Sequence, residues 1–255
     1  MPRFFLPSAQ IHDSYVFISG REFHHLRHVL RLDVGDTLTL CDDQGREHPG
    51  TILRLSPTGA EIHVVASSHP APRKFALTLA QGVLKGPKMD LLIEKATEIG
   101  VQHIMPFFSA FTVAHPPEER RAERLTRWQR IAQSAAKQSG SAVPLIAAPR
   151  SFPEILTTTP KEFGKLLLYE KEQTLLLKAF ARTHPALSSL CVVVGPEGGF
   201  APAEIEQARG AGFAIVGLGT QTLRAETAGM VAVALCRFLW GEGEIPPLPS
   251  PGRMP

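Results

Sequence analysis

From residue 74 onward, the sequence alternates between short apolar runs and segments of helical periodicity, and this alternation constrains the fold most. Apolar runs typical of buried strands occur at 75–83, 101–108, 166–170, 191–195 and 213–219. Helical segments occur at 87–100, 118–140, 202–209 and from about Thr227 to Trp240. Strands that alternate with helices form a parallel sheet with helices on both faces. We therefore predict an α/β domain over residues 74–245.

Residues 1–70 follow a different pattern, in which short strands are separated by turn residues. Strands are predicted at 15–20, 37–41, 51–56 and 61–67. A short helix is predicted at 22–31, with Phe23, Leu26 and Leu30 facing inward. Closely spaced short strands indicate a small barrel or meander. The proline-containing stretch 69–73 is predicted to be a linker, and residues 246–255 a loose Pro-rich tail.

The composition excludes several classes of protein. Hydrophobic residues make up 44% of the chain and charged residues 20%, which is ordinary for a soluble globular protein. Cys41, Cys191 and Cys236 lack metal-binding spacing and lie in apolar runs, so we predict buried free thiols and no bound metal. The N-terminal residues lack the pattern of a signal peptide, and no apolar run could span a bilayer. We expect a cytoplasmic protein without membrane contact.

Positive charge is concentrated in the middle of the chain. Residues 71–150 carry twelve Lys and Arg against six Asp and Glu, whereas the flanking segments are slightly acidic. This distribution suggests a polyanion partner. The candidate RNA-binding residues are His24, His25, Arg27, His28, Arg31, Lys85, Lys88, Arg120, Arg124 and Arg127. A charge run is also typical of an ordinary solvated helix face, and that alternative stays open.

Residues 192–200 read VVVGPEGGF, so a buried strand ends in a loop that contains three glycines. Ligands of open parallel sheets bind beyond the carboxyl ends of the strands, and glycine lets backbone N–H groups approach a ligand closely. The loop matches neither the dinucleotide fingerprint nor the P-loop. A tight turn without a ligand is the alternative. Glu197 within the loop favours a ligand instead, because a carboxylate can accept hydrogen bonds from a ribose or balance a cation.

A second motif, LGTQTLRAETAGM at 218–230, places Arg224, Glu226 and Thr227 before an almost uncharged helix. Arg224 and Glu226 either cap this helix or serve a site. The helix carries one charge between Ala228 and Trp240, so we predict that it is buried nearly all round, in a core or a subunit interface.

Together, GPEGGF and LGxxxLRxETA resemble the C-terminal signature of the 16S ribosomal RNA uracil-N3 methyltransferases (RsmE family) of the SPOUT class. Residues 25–36 (HxxxVLRxxxGD) resemble the family's PUA-like barrel, residues 85–106 its first helix region, and residues 127–139 its central helix. The resemblance implies a SPOUT-type parallel sheet with a C-terminal trefoil knot, and a homodimer. It also implies methyl transfer from S-adenosyl-L-methionine to N3 of a uridine in the 16S rRNA of the small ribosomal subunit.

The resemblance also implies which residues form the site. Those that would bind the methyl donor are Leu168, Tyr169, Glu170, Gly195, Glu197, Gly198, Gly199, Leu218, Gly219, Leu223 and Thr227. For catalysis, we hypothesise that Arg224 stabilises negative charge on a uracil carbonyl oxygen and that Glu226 holds Arg224 or acts as the base.

Three positions depart from the family pattern. This chain has Phe111 and Ser141 where relatives usually show arginine, and Ser134 in place of a frequent glutamate. These differences leave two alternatives: an RNA-binding or ribosome-assembly protein of the same fold, or methylation of a different RNA nucleotide. A third alternative, an unrelated α/β enzyme with a nucleotide cofactor, is disfavoured because both phosphate-binding motifs are lacking.

Overall fold

The structure is a computed structural model that describes residues 2–6, 10–11, 14–42, 46–64, 75–113 and 117–241. It divides into two compact units. The first comprises Met1–Pro72 with Ala136–Ala142, and the second comprises Arg73–Ala135 with Val143–Pro255. The predicted linker at 69–73 and the predicted tail at 246–255 lie outside the described residues.

The first unit is built on a five-stranded sheet, as the short strands in its sequence predicted. Its order is β1–β3–β4–β5–β2, with β1 parallel to β3 and the other pairs antiparallel. The strands are β1 (Arg3–Phe5), β2 (Tyr15–Ser19), β3 (Thr37–Cys41), β4 (Glu47–Ser56) and β5 (Gly59–Val64). Alternate residues such as Val16, Ile18, Leu38 and Leu40 form one apolar core, which follows from the two-residue period of a strand.

The short helix of the first unit differs from its prediction in one respect. An α-helical turn, α1 (Gly20–His24), continues as a π-helical turn over His25–Val29. Leu26 is fully buried, but Leu30 is exposed, so the prediction that Leu30 faces inward is wrong. A π-turn contains more residues per turn than an α-helix, which rotates the following side chains away from the expected face.

The second unit is an α/β domain with a parallel sheet, as predicted. The sheet order is β12–β10–β11–β6–β7–β8, with β9 paired to β7. Its strands are β6 (Ala76–Gly82), β7 (His103–Phe108), β8 (Leu145–Ile146), β9 (Arg150–Ser151), β10 (Gly164–Leu168), β11 (Ser189–Val194) and β12 (Ala214–Val216). Its helices are α2 (Lys88–Ile99), α3 (Glu118–Ser139, of which residues 136–139 belong to the first unit), α4 (Phe152–Thr158), α5 (Leu177–Thr183), α6 (Pro202–Gly210) and α7 (Ala225–Trp240).

Two apolar cores cover the two faces of this sheet. Val192 and Val194 of β11 belong to one core, together with residues of α2, α3, α5 and α7. Cys191 and Val193 point to the opposite core, which contains residues of α4 and α6. A strand buried on both faces reads as a continuous apolar run, which is why β11 was recognisable in the sequence.

The helix at 87–100 was predicted nearly to the residue. Gly100 adopts φ 95°, and its N–H donates to the carbonyls of Ala96 and Thr97. This left-handed cap ends α2 because glycine carries no Cβ penalty there. By contrast, α4 and α5 were missed, although Ser151 and Glu154 form a capping box that its Ser-x-x-Glu spacing signals.

The last helix corrects a second prediction. α7 starts at Ala225 rather than near Thr227, so Glu226 lies in its first turn. Phe238 is 78% exposed and Leu235 37%, so the helix is not buried nearly all round within this chain. Its inner side packs into the core through Ala232, Val233 and Cys236. An apolar helix can thus leave one apolar face for a partner.

The three cysteines are buried and free, as predicted. Burial raises the pKa of Cys41 and of Cys191 to about 11, and that of Cys236 to about 12. The thiols therefore stay protonated near neutral pH and act as small apolar side chains.

Candidate functional site

A cavity of about 350 Å³ lies in the second unit, where β10, β11 and β12 end. These strands are neighbours in the sheet, so the segments that follow them converge at one edge. Two strands end earlier than the sequence predicted, β10 at Leu168 and β12 at Val216. The next residues leave the sheet and line the cavity instead. This is the position at which open parallel sheets bind ligands.

Most of the residues predicted to bind the methyl donor line this cavity. Those that do are Leu168, Tyr169, Glu170, Gly195, Glu197, Gly198, Gly199, Leu218, Gly219 and Leu223. Arg224 lines the cavity as well. Glu226 and Thr227, in the first turn of α7, are not among its lining residues. Lys88, predicted to contact RNA, also lines the cavity, as do Gln221 and Thr222, which were not predicted.

The glycine loop (Gly195–Phe200) needs glycine for steric reasons. A Cβ on Gly198 would lie 2.6 Å from the Cβ of Phe111 and 2.9 Å from its carbonyl oxygen. A Cβ on Gly195 would approach the Phe200 ring to 3.0 Å, and Gly199 has φ 69°. L side chains rarely adopt that φ value. The glycines therefore let the loop pack tightly against Phe111 and Phe200 while it lines the cavity.

Phe111 is held beside the glycine loop by a fixed turn. The Ser109 N–H donates to Thr112 Oγ1 at 2.8 Å, and the Ala110 N–H donates to Glu204 Oε1 at 2.9 Å. Glu204 is buried, and its other oxygen accepts the Ala201 N–H that opens α6. Phe111 itself is 47% exposed. An aromatic side chain thus takes the place of the expected arginine, and the turn that carries it is held by hydrogen bonds. Of the other two positions that depart from the family pattern, Ser134 is exposed and Ser141 is half-buried.

Gln81 supports the glycine loop through a hydrogen bond to its first residue, and this role was not predicted. Its side chain is completely buried at the end of β6, and Nε2 donates to the carbonyls of Gly82 and Gly195. Gly82 must also be glycine, since a Cβ there would lie 2.5 Å from Pro196. A lone amide in the apolar run FALTLAQGV was the signal that could have found it, because buried polar groups need a partner.

The cavity carries a compact set of charges. The Lys88 ammonium lies 3.4 Å from Glu197 Oε1 and 3.6 Å from Glu226 Oε2. Glu197 Oε1 also accepts the Lys85 N–H at 3.0 Å. Partial burial acts to raise the pKa of Glu197, but backbone N–H groups of Glu197 and Lys85 and the Lys88 ammonium lower it overall. Glu197 is therefore ionised at neutral pH.

The two predicted catalytic residues have different surroundings. Arg224 is exposed at the N-cap position of α7, and within the described ranges its side chain makes no hydrogen bond or ion pair. Glu226 is 7% exposed, and its Oε2 has no hydrogen-bond partner in the part of the chain that the structure describes. The nearest cation to Glu226 is thus Lys88 rather than Arg224.

The basic surface of the first unit (His24, His25, Arg27, His28 and Arg31) is exposed. The His24 and His28 rings lie 4.8 Å apart. Arg27 pairs with Asp33 at 3.4 Å and donates to the Leu32 carbonyl. Arg31 adopts φ 56°, which is uncommon for a residue with a side chain. These groups form a local cluster with few internal partners.

The basic residues of the second unit are divided between exposed and paired positions. Arg120 and Lys85 are exposed and Arg124 is half-buried. Arg127 donates to Asp90 of α2 at 2.7 Å, although most of its side chain remains accessible. Lys88 forms ion pairs with Glu197 and Glu226.

Neither a membrane span nor a metal centre is found in the described ranges. None of the helices there is long and apolar enough to cross a bilayer. Likewise, these residues contain no cluster of three or more side chains suited to hold a metal ion. That the protein uses no metal stays a prediction.

Comparison with known proteins gives matches across both units. The model of the RNA methyltransferase domain matches residues 71–237, and that of the RNA methyltransferase PUA domain matches residues 18–65. The chain is 30% identical to ribosomal RNA small subunit methyltransferase E of Bacillus subtilis over 93% of this chain and 96% of that protein. A Synechocystis protein of the same name is 30% identical over 91% of this chain and 76% of its own length.

A solved structure is similar throughout. The crystal structure of ribosomal RNA small subunit methyltransferase E from Neisseria gonorrhoeae, bound to S-adenosyl methionine, has a TM-score of 0.81 and 32% sequence identity. The match covers 95% of this chain and 99% of that one. The predicted α/β domain with a PUA-like N-terminal unit is therefore confirmed.

Proposed function

The chain belongs to the RNA methyltransferase family, and we propose that it transfers a methyl group from S-adenosyl-L-methionine to N3 of one uridine in the 16S rRNA of the small ribosomal subunit. The observation that carries this proposal is the glycine-lined cavity at the ends of β10, β11 and β12. Its lining contains all of GPEGGF and most of LGTQTLRAETA, the two motifs that resemble the uracil-N3 methyltransferases.

The chemistry of the cavity fits this methyl donor. Gly195, Gly198 and Gly199 present bare backbone, which suits the close approach of an adenosine and its ribose. The donor has no phosphate, and the only lysine in the described lining is already paired with Glu197 and Glu226. Glu170 and Glu197 provide negative charge suited to a cation. When bound, the donor supplies a methyl group on a positively charged sulfur.

The protein's own residues would then position the uracil and remove its N3 proton. Arg224 is exposed beside the cavity, and its guanidinium has no partner among the described residues, which suits binding a uracil carbonyl oxygen as negative charge develops there. Glu226 is a buried carboxylate, and its Oε2 accepts no hydrogen bond from any described residue, which suits accepting the N3 proton. Because Glu226 pairs with Lys88, the role of base is better supported than that of holding Arg224.

RNA would bind through the basic surface of the first unit together with Lys85, Arg120, Arg124 and Arg127. Exposed Arg and His groups suit phosphates and unstacked bases, which is how proteins commonly contact single-stranded RNA. This assignment predicts a strong dependence of RNA affinity on salt.

The predicted trefoil knot has support in the path near Gly217. Its N–H donates to the Leu175 carbonyl at 2.9 Å, and its carbonyl accepts the Leu177 N–H at 3.0 Å. A Cβ on Gly217 would lie 2.0 Å from the Glu172 carbonyl oxygen. The segment after β10 therefore runs parallel to the chain that leads from β12 to α7 and in close contact with it, and this close packing supports the proposed knot.

A homodimer and a cytoplasmic location complete the proposal. The exposed apolar face of α7, with Leu235 and Phe238, would be covered by a second copy. The substitution Phe238→Glu should shift the mass measured by light scattering from dimer to monomer. A dimeric variant, or a monomeric parent protein, would contradict this part. Ribosomal RNA as the substrate fits the cytoplasm.

The deciding experiment is tritium transfer from labelled S-adenosylmethionine to small ribosomal subunits that lack the modification. Label recovered as N3-methyluridine at one position would support both the reaction and the target. Label in another nucleoside would keep the enzyme class and reject the target. RNA binding without any transfer would favour the ribosome-assembly alternative, and would direct attention to Phe111 and Ser141.

A further inference from the structure

Lys88 bridges two carboxylates that belong to different elements of the second unit. It is the first residue of α2, Glu197 lies in the glycine loop, and Glu226 lies in the first turn of α7. A single ammonium group thus joins three segments that are remote in sequence. The side chain of Lys88 is 38% exposed, so its charged end reaches inward from a partly accessible position.

Glu226 depends on this lysine for charge compensation. Its side chain is 9% exposed, and a buried carboxylate without a nearby cation is costly. Within the described ranges Lys88 is the cation paired with it, since Arg224 makes no such contact. The 3.6 Å separation is an ion pair too long for a hydrogen bond, so Oε2 keeps its capacity to accept one.

We propose that Lys88 is a positioning residue that holds Glu226 and Glu197 at the cavity, and that it is not a phosphate contact. This assignment leaves the Arg224 guanidinium free for substrate, because Glu226 already has a cationic partner. The catalytic part of the proposal rests on the proposed function. The ion-pair part does not, since it can be measured without turnover.

The first test is a double-mutant cycle on stability. Lys88→Met keeps the aliphatic stem but leaves the buried Glu226 charge uncompensated, so the urea midpoint should fall. Adding Glu226→Gln removes that charge, so Lys88→Met/Glu226→Gln should be more stable than Lys88→Met alone. Lys88→Arg, which keeps the charge, should lie between the parent protein and Lys88→Met.

A matched control lies on the same helix. Lys95 pairs with Glu94 at 2.8 Å and Glu98 at 2.9 Å on the surface of α2. Lys95→Met should show no coupling with Glu226→Gln, because the two positions share no partner. Coupling of equal size at Lys95 would overturn the proposal.

The second test measures RNA affinity against salt concentration. A phosphate contact contributes about 0.7 to 0.9 to the slope of log K against log salt. Lys88→Met should leave this slope unchanged while turnover falls on the order of tenfold through the misplaced Glu226. A lower slope with unchanged stability would assign Lys88 to RNA and overturn the proposal. If the parent protein transfers no methyl group, the stability cycle still decides the ion-pair assignment.

Discussion

The glycine loop and the basic surface of the first unit are two candidate sites of different construction: the first consists mainly of tightly packed backbone, and the second of exposed side chains. The glycine loop lines the cavity, and contacts with Phe111 at Gly198 and with the Phe200 ring at Gly195 leave no room for a side chain at those positions. On the basic surface, the charged side chains are exposed and few have internal partners. The first site requires glycine at positions 195, 198 and 199, whereas the second requires only positive charge. A site that requires particular residue types is therefore easier to recognise in a sequence than a site that requires only charge.

The largest effect is expected for a side chain that shares one property with each of these two sites. Arg224 is exposed like the basic surface but lines the same cavity as the glycine loop. Arg224→Ala should lower kcat by about 10²- to 10³-fold, since it removes a donor aimed at developing charge. Single-turnover methyl transfer measures this. Arg182→Ala, an exposed arginine on α5, is the control and should keep parental activity. Full activity in Arg224→Ala would remove that residue from catalysis.

Gly198→Ala tests whether the glycine loop is as intolerant as its packing indicates. The added Cβ meets a Cβ and a carbonyl oxygen of Phe111, neither of which is a flexible chain end. A displaced loop should lower affinity for S-adenosylmethionine on the order of 100-fold, as measured by calorimetry. Gly210→Ala at the end of α6, where a Cβ meets open space, should bind normally. Equal affinity in both variants would contradict the comparison.

Neutralising the basic surface should give a smaller and more graded loss. Arg27→Gln combined with Arg31→Gln removes two exposed charges, so RNA affinity should fall about tenfold at low salt and the salt slope by about 1.4. Affinity for S-adenosylmethionine should not change. Arg54→Gln on β4, 79% exposed at its side chain, serves as the control. A loss in Arg54→Gln as large as in the double variant would mean that overall charge, not this surface, binds RNA.

The smallest effect concerns pH. The pKa of Glu197 is lowered from its ordinary value of 4.5, so its contribution to stability is present above that value and lost as pH falls through the lower pKa of the folded state. The difference in Tm between the parent protein and Glu197→Gln should therefore be constant from pH 8 to about 5.5 and shrink below about 4.5. A difference that grows on acidification would contradict this electrostatic assignment.

The sequence predicted the second unit well where local pattern decides the structure. Apolar runs buried on both faces identify β11, and the glycine at 100 identifies the end of α2. The residues around the cavity were predicted because GPEGGF and LGxxxLRxETA resemble the signature of a known family, which implied the site residues; the motifs taken alone left a tight turn and a helix cap open as alternatives. The early ends of β10 and β12 were not predictable, since they depend on where the chain leaves the sheet to line the cavity.

Contacts between segments that are distant in sequence could not be predicted from local sequence patterns. Nothing local pairs Lys88 with Glu226, because that contact depends on how α2 and α7 pack. The exposure of Leu30 was missed because a π-turn gives no periodic signal of its own. The sequence left open whether a core or a subunit interface covers α7, because an apolar helix has the same pattern in both settings.

The placement of the aromatic residues also gives each unit its own optical reporter. Both tryptophans of the chain, Trp128 and Trp240, lie in the apolar core of the second unit, and Trp240 Nε1 donates to the His184 carbonyl at 2.6 Å. The first unit contains a tyrosine, Tyr15, on its exposed sheet face, and no tryptophan. Fluorescence excited at the red edge of absorption therefore follows the second unit alone. Melting of the first unit would pass unseen in that signal and has to be followed by tyrosine emission or circular dichroism.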